Sequence, residues 1–594
     1  MALNWLLSAI LLVGQTPADP LATLRAGHPR LMLLDSGLDA IRANIKTDAV
    51  AKRWYERLRA ERDKLLTAPD TKYEIIGPRL LSASRSVLGR VSTLGLLYRL
   101  DHDEDAGRRA VREMVAAAGW PKWNPSHFLD TAELNNAFGI GWDWLQPLIT
   151  GADRQAILSG WREKGIGPAL DAYRKGTNGS WRTATHNWNQ VCNGGNTVAA
   201  LALADEIPDE AREIVSAALA SVPRALASYA PDGGWNEGPG YWNYATTYTV
   251  YLLSALDTAL GTDFGLSKAP GLDQAGDFRL HFVGPSGETF NYADAGSGAG
   301  EAACLFWLGR RYAKPLYYWQ EHTLSRGTAF DLAWFEPGGT DPEQGGVPLD
   351  AYCKGVGVGF LRGSWSDPNA TWLAFKGGDN RANHSHLDLG CFVLDALGQR
   401  FFCDLGSDDY NMPGYFGAQR WTYYRLKTEG QNCLVIDGKN QLTSAKAPVL
   451  AFDSRPEAAR GVVDLSAAYP MAKRAQRGYA LLARRDVLLV DEIEAEQPVD
   501  VVWGAHTAAT VTLDGARATL ERGGKRLYAK LLSPAGAAFA ASTPSLDPPQ
   551  RPLRGITKLT VKLPDKVTDT RIAILVSPVA DAATPEVRPL AEWR

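Results

Sequence analysis

A chain of 594 residues is too long for one ordinary core, so roughly two to four domains are expected. Its 63 Lys and Arg against 66 Asp and Glu leave a formal charge of -3 with mixed signs, which argues against a nucleic-acid backbone as partner. The 19 Trp and 21 Tyr are numerous; amphipathic rings suit the flat faces of sugars, although large helical cores use them too.

The first residues, MALNWLLSAILLVGQTPADP, carry an apolar run from Trp5 to Val13 that is too short to span a bilayer and is followed by small residues. This is the pattern of a secretory signal peptide over 1–18, lacking only its positive start. Six scattered cysteines without CxxC spacing do not demand disulfides. From about Asp35 to Leu260, stretches such as LLSASRSVLGRVSTLGLLYRL repeat apolar residues at three and four, predicting antiparallel helix pairs joined by short Gly/Pro/Asp segments. Such pairs close into a toroid or stack as a solenoid, which periodicity does not distinguish. From about Gly355 the period falls to two in TWLAFKGG, NCLVIDGK, RDVLLVDEIEA and RIAILVSPV, a sandwich signature. The expected domains are helical over 19–340, a central β-sandwich over 341–505 and a small β domain over 506–594.

Three clusters could carry chemistry. WRTATHNWNQVCNGG places His186, Asn187, Asn189 and Gln190 at a helix start, ahead of a Gly-Gly that lets backbone approach a ligand. Polar groups so concentrated are costly to bury unless they bind something; local capping competes with that reading. DGGWNEGPGYWNYATTY delivers Glu237, Tyr241 and Tyr244 after a glycine-rich turn, with both tyrosines on one helical face and Tyr241 in the first turn. The third, NHSHLDLG, holds His384 and His386. In a strand they share a face and could meet one ion, and the hairpin turn ALGQ brings Asp404 within ligand reach of His386.

The His-x-His-x-Asp-x-Gly element with its later Asp-Leu-Gly, together with HNWNQVCNGG, NPSHFLDTAELNNAFGIGWDWL and EGPGYWNY, resembles the heparinase II/III-like polysaccharide lyases, in the same order from about His28 to about His506. The resemblance implies a multidomain α+β fold, an incomplete α/α toroid followed by antiparallel β-sandwich domains. It further implies β-elimination on a uronic-acid-containing anionic polysaccharide such as heparin, heparan sulfate or alginate, by an exported, periplasmic or extracellular enzyme. The expected partner is that polysaccharide, with no nucleic acid, no membrane span, and a homodimer as the candidate assembly.

Eliminating across C4 and C5 removes a proton α to a carboxylate, whose charge must first be offset. Asn187, Asn189 and Gln190, with His186, suit that donor role. Tyr241 suits the acid role, and the base role too on a syn path; His186 and His384 suit the base on an anti path. The family comparison assigns His384 to catalysis and His386 with Asp404 to a structural zinc. This chain departs from the pattern at Gln431, where relatives carry a third histidine and where an amide is a poor zinc ligand. Asn189 stands where some heparin-cleaving relatives have a catalytic Glu. In DDYNMPGYFGAQRWTYYR, the residues Tyr410, Tyr415, Arg420 and Arg425 suit contact with an anionic chain and suit packing equally well. Competing expectations are a toroid glycoside hydrolase using Glu133, Asp232 and Glu237, a non-catalytic glycan-binding protein, and a zinc hydrolase centred on His384 and His386.

Overall fold

The computed structural model describes residues 19–593, so the expected signal segment at 1–18 lies outside the described residues. The chain forms two compact units. A helical unit comprises residues 19–230 with Trp242–Gly276 and Gly300–Thr340; a β unit comprises Pro231–Tyr241, Asp277–Ala299 and the residues from Asp341 onward.

Helices in the first unit begin where carboxylates meet their orphaned amides. Asp48 accepts from Val50 and Ala51 at 2.7 and 3.1 Å to start helix Ala49–Thr67. Asp103 does the same for Glu104–Ala118, whose first turn also carries Glu104 and Asp105. Helix Leu129–Trp144 is buried along its whole length and packs against Asn187–Ala202, itself almost wholly buried. Small residues permit that approach. A methyl group at Gly195 would collide with the Ala132 carbonyl, and one at Gly139 would lie 2.7 Å from a Val198 methyl. The Gly194-Gly195 pair, expected to admit a ligand, therefore admits neighbouring helices; a methyl at 194 would lie 2.9 Å from the Tyr248 carbonyl. The late helix Ala329–Ala333, started by a Thr328/Asp331 capping box, packs on Ala49–Thr67 and Leu81–Asp101, returning the array to its first helices as a toroid requires.

The β unit is antiparallel throughout. Its largest sheet has eight strands, in spatial order Thr510–Asp514, Arg517–Arg522, Lys525–Ser533, Val567–Ser577, Asp486–Val499, Arg474–Leu482, Ala458–Asp464 and Val449–Ser454. A five-stranded sheet spans Ala351–Cys353 to Gln399–Phe402, and a four-stranded one joins Phe539–Ser542, Thr557–Lys562, Val501–Thr507 and Leu434–Ile436. Phe375, Phe392, Phe402, Tyr479, Trp503 and Ile572 from all three sheets enter one apolar core. Full burial of each contributes about 2–3 kcal/mol. The expected 505/506 boundary falls inside strand Val501–Thr507, and Val567–Ser577 pairs directly with Asp486–Val499, so the C-terminal strands complete the sandwich instead of forming a separate domain. Alternation marks strands but not their partners.

The core also pins the end of NHSHLDLG. Arg477 and Asp491, opposite each other on paired strands and fully buried, bond at 2.7 Å, and Arg477 Nη1 and the Tyr479 hydroxyl both donate to the Gly390 carbonyl. All six cysteines are free thiols. Among the described residues no helix is long and apolar enough to cross a membrane.

Candidate active site

Within the β unit, three stretches converge on one carboxylate. In the first, Gly238 takes φ +86° and a methyl there would strike the Tyr292 carbonyl, so only glycine permits the turn. Pro239 then opens helix Pro239–Leu260 and Tyr241 stands in its first turn. Glu237 is buried and held by Trp235 Nε1 at 3.1 Å and Asn383 Nδ2 at 2.7 Å.

The second stretch is NHSHLDLG, which forms irregular turns and not the strand expected. His384 sits at φ +61°, a left-handed conformation that costs a non-glycine residue about 1–2 kcal/mol. The two imidazoles meet on a carboxylate: His384 Nδ1 lies 2.9 Å from Asp294 Oδ2, and His386 Nε2 lies 3.0 Å from Asp294 Oδ1. The third stretch adds the Tyr415 hydroxyl at 2.7 Å and Arg420 Nη2 at 3.0 Å to the same carboxylate. Burial alone would raise the Asp294 pKa, but the His384 and His386 hydrogen bonds and the Arg420 charge hold it well below the usual range.

Tyr241 caps this assembly. Its ring stacks on the His384 imidazole, centroids 4.0 Å apart and planes within 15°, and its hydroxyl lies 2.8 Å from that of Tyr410. Burial, followed by the proximity of Tyr241 and Asp294, pushes the Tyr410 phenol up, so it stays neutral and can either donate or accept. Because Asp294 only accepts, His384 carries its proton on Nδ1 and presents the Nε2 lone pair, 3.8 Å from Glu237 Oε1. An imidazole and a phenol thus lie in van der Waals contact.

Two expected substrate ligands do other work. Arg420 is buried and clamps the histidine loop through the His384 and Ser385 carbonyls, both at 2.9 Å, while Tyr415 is buried against Asp294. Arg425 is likewise buried, reaching the Leu405 carbonyl and Asp408. Nothing in the sequence singles out Asp294, which lies in the plain stretch NYADAG; its aspartate beside two small residues is the sole signal.

The remaining expected residues lie in the helical unit. His186 precedes helix Asn187–Ala202, and Asn187 is buried in its first turn. Asn189 gives its amide to the Trp181 and Arg182 carbonyls and to Ser221, and Gln190 is buried with its amide nitrogen 3.5 Å from the Tyr229 hydroxyl. Tyr244 is held too: its hydroxyl donates to Glu133 Oε1 at 2.7 Å, the Arg85 guanidinium lies 4.6 Å from its ring centre, and Tyr248 donates to the other Glu133 oxygen. Burial and the Glu133 charge push the Tyr244 phenol far up. A cavity of about 630 Å³ in this unit is lined by Arg57, Glu61, Arg85, Arg90, Tyr251 and Glu301 among others.

Residues 354–568 match the family model described as Heparinase II/III-like, C-terminal. This region is similar to heparinase II/III-like domains. The fold match extends over nearly the whole chain. A heparinase III shares it with a TM-score of 0.64 at 13% identity, covering 94% of this chain and 93% of that one. A mutant of the heparan sulfate lyase HepC from Pedobacter heparinus gives 0.59 at 14% identity, over 93% and 92%. No curated protein matches the chain in sequence. The helical toroid followed by antiparallel sandwiches, implied by the motifs, is the fold found.

The heparinase II/III-like motif led to the expectation of zinc at His386 and Asp404, and the donor set does not fit it. His386 has Nε2 on Asp294 and Nδ1 at 3.3 Å from the Gln431 amide nitrogen. Asp404 accepts from the Gly406 amide at 2.7 Å. Among the described residues no group of three or more His, Cys, Asp or Glu side chains is arranged to hold a metal ion.

Proposed function

We propose that the chain is an exported polysaccharide lyase that cleaves a uronic-acid-containing anionic polysaccharide by β-elimination. The observation that carries this reading is the Tyr241–His384 stack, with His384 oriented by Asp294 and the Tyr241 hydroxyl by Tyr410. The heparinase II/III-like match and the fold shared with a heparinase III and a heparan sulfate lyase support it. His384 Nε2 takes the C5 proton, or on a syn path Tyr241 reacts as its phenolate and takes the proton to become the hydroxyl. The Tyr241 hydroxyl then protonates the departing glycosidic oxygen, and the C4–C5 double bond forms. Tyr410 passes hydrogen-bond polarity to that phenol. Anchoring by Asp294 fixes the His384 tautomer throughout.

A hydrolase needs two opposed carboxyl groups, one free to protonate the acetal. Glu133 is engaged by Arg85, Tyr244 and Tyr248, Asp232 by the Lys354 and Gly355 amides, and Glu237 by Trp235 and Asn383. The elimination reading is therefore the stronger one.

A panel of heparin, heparan sulfate, chondroitin, hyaluronan, alginate and ulvan, followed by the near-ultraviolet absorbance of unsaturated product, tests the proposal. Product is expected from at least one, and Tyr241→Phe should lower turnover by about 10²–10⁴-fold with binding largely retained. Reducing ends without unsaturation would establish a hydrolase, and binding without product a glycan-binding protein.

A further inference from the structure

The pocket beneath His384 is closed by protein donors where a metal would need lone pairs. Asp294 accepts only, so the proton of His386 lies on Nε2 and its lone pair on Nδ1. That lone pair faces the Gln431 amide nitrogen at 3.3 Å. The amide cannot turn its oxygen there instead, because Gln431 Nε2 also donates to the Arg425 carbonyl and an oxygen in its place would repel that carbonyl. Both hydrogens of the amide are thereby used, one on the backbone and one on the imidazole. On the far side, Asp404 Oδ1 is taken by the Gly406 amide, and Oδ2 has the Cys391 thiol 3.7 Å away.

We propose that in this chain the His386–Asp404 pocket is metal-free, and that Gln431 and Asp294 brace the histidine loop by hydrogen bonds in place of a bound cation. Gln431 supplies an N–H where a ligand would supply a lone pair. Asp294 collects four donors: two imidazoles from the loop, the Tyr415 phenol and the Arg420 guanidinium. One buried carboxylate with four partners ties the loop to the segment that follows Tyr410, the mechanical task a structural ion performs. The inference stands on this geometry and does not depend on the lyase reading.

Purified wild type and Gln431→His, each saturated with zinc, passed through gel filtration and assayed for metal, test it. Wild type should retain far less than stoichiometric zinc, with a melting temperature indifferent to chelator. Gln431→His exchanges the capping N–H for a second imidazole beside His386 and Asp404, and should retain zinc and melt higher with zinc than with chelator. Stoichiometric zinc in wild type that Asp404→Asn abolishes would overturn the proposal. A folded Gln431→His that takes up no zinc would overturn the role given to Gln431. If that variant does not fold, the wild-type metal content and its chelator response still decide.

Discussion

The two units spend buried polar groups differently. In the helical unit Asn189, Asn193 and Ser221 bond to one another and to the Trp181 and Arg182 carbonyls, while Asn135 bridges Trp161 and Asn196, so amides there join helix to helix and helix to turn. In the β unit Asp294 gathers side chains and orients His384, on whose ring Tyr241 stacks. A dense run of polar residues at a helix start is thus weaker grounds for a site than one buried carboxylate that organises imidazoles and phenols. The physical difference is what the hydrogen bonds fix: backbone in one case, the direction of a lone pair in the other.

Removing the hub should give the largest effect. Asp294→Ala leaves four donors without their acceptor and should lower the unfolding free energy of the β unit by about 3–5 kcal/mol, read by thermal or denaturant unfolding. Asp294→Asn keeps the shape and should fall between it and wild type. An unchanged midpoint for both would dissolve the contrast between the units.

Acid should separate the units next. His281 and His506 are buried in the β unit, and burial, reinforced by Arg362 and Lys558 respectively, lowers each pKa to about 3. Between an unfolded value near 6.5 and the folded value the unfolded state binds more protons, so stability is complete above about pH 6.5 and declines as pH falls. At pH 5 the loss is about 2 kcal/mol per histidine. In the helical unit, burial and Asp263 raise Asp257 to about 6, which has the opposite sign: its folded form binds the extra proton and gains stability as pH falls below 6. His322, lowered by burial, opposes it in part, and in the β unit Asp404, raised by burial to about 6, offsets part of the histidine loss. Hydrogen exchange followed from pH 7 to 5 should show protection lost first in the β strands; earlier loss in the helices would contradict this balance.

The smallest expected effect sharpens the comparison from the other side. Asn189→Ala removes one of two donors from each of the Trp181 and Arg182 carbonyls, which keep the Ala184 amide and the Ser221 hydroxyl, and should cost about 0.5–1.5 kcal/mol in stability, with turnover per folded molecule unchanged. A large fall in turnover at constant stability would return Asn189 to the substrate-binding role first expected of it.

Much of this was legible in one dimension. Helical periodicity, the shift to alternation near Gly355 and the motifs around Tyr241 and His384 sufficed for the α/α and antiparallel β halves and for the two residues that stack. Periodicity could not reveal that Pro231–Tyr241 and Asp277–Ala299 join the β unit, because membership is decided by what a segment packs against and not by its own pattern. Tyr415 and Arg420 looked like sugar ligands because burial is invisible in sequence. Their chemistry is the same in either role, and only the neighbouring carboxylate chooses between them.

The sequence by itself determined residue chemistry and local period: which segments coil and which alternate. Tertiary structure alone decided what the two histidines of NHSHLDLG share. A carboxylate ninety residues upstream of His384 sets their proton positions, and an amide forty-five residues downstream of His386 occupies the lone pair that a metal would need. Proton placement follows from the nearest acceptor in space, and chain order carries no record of it.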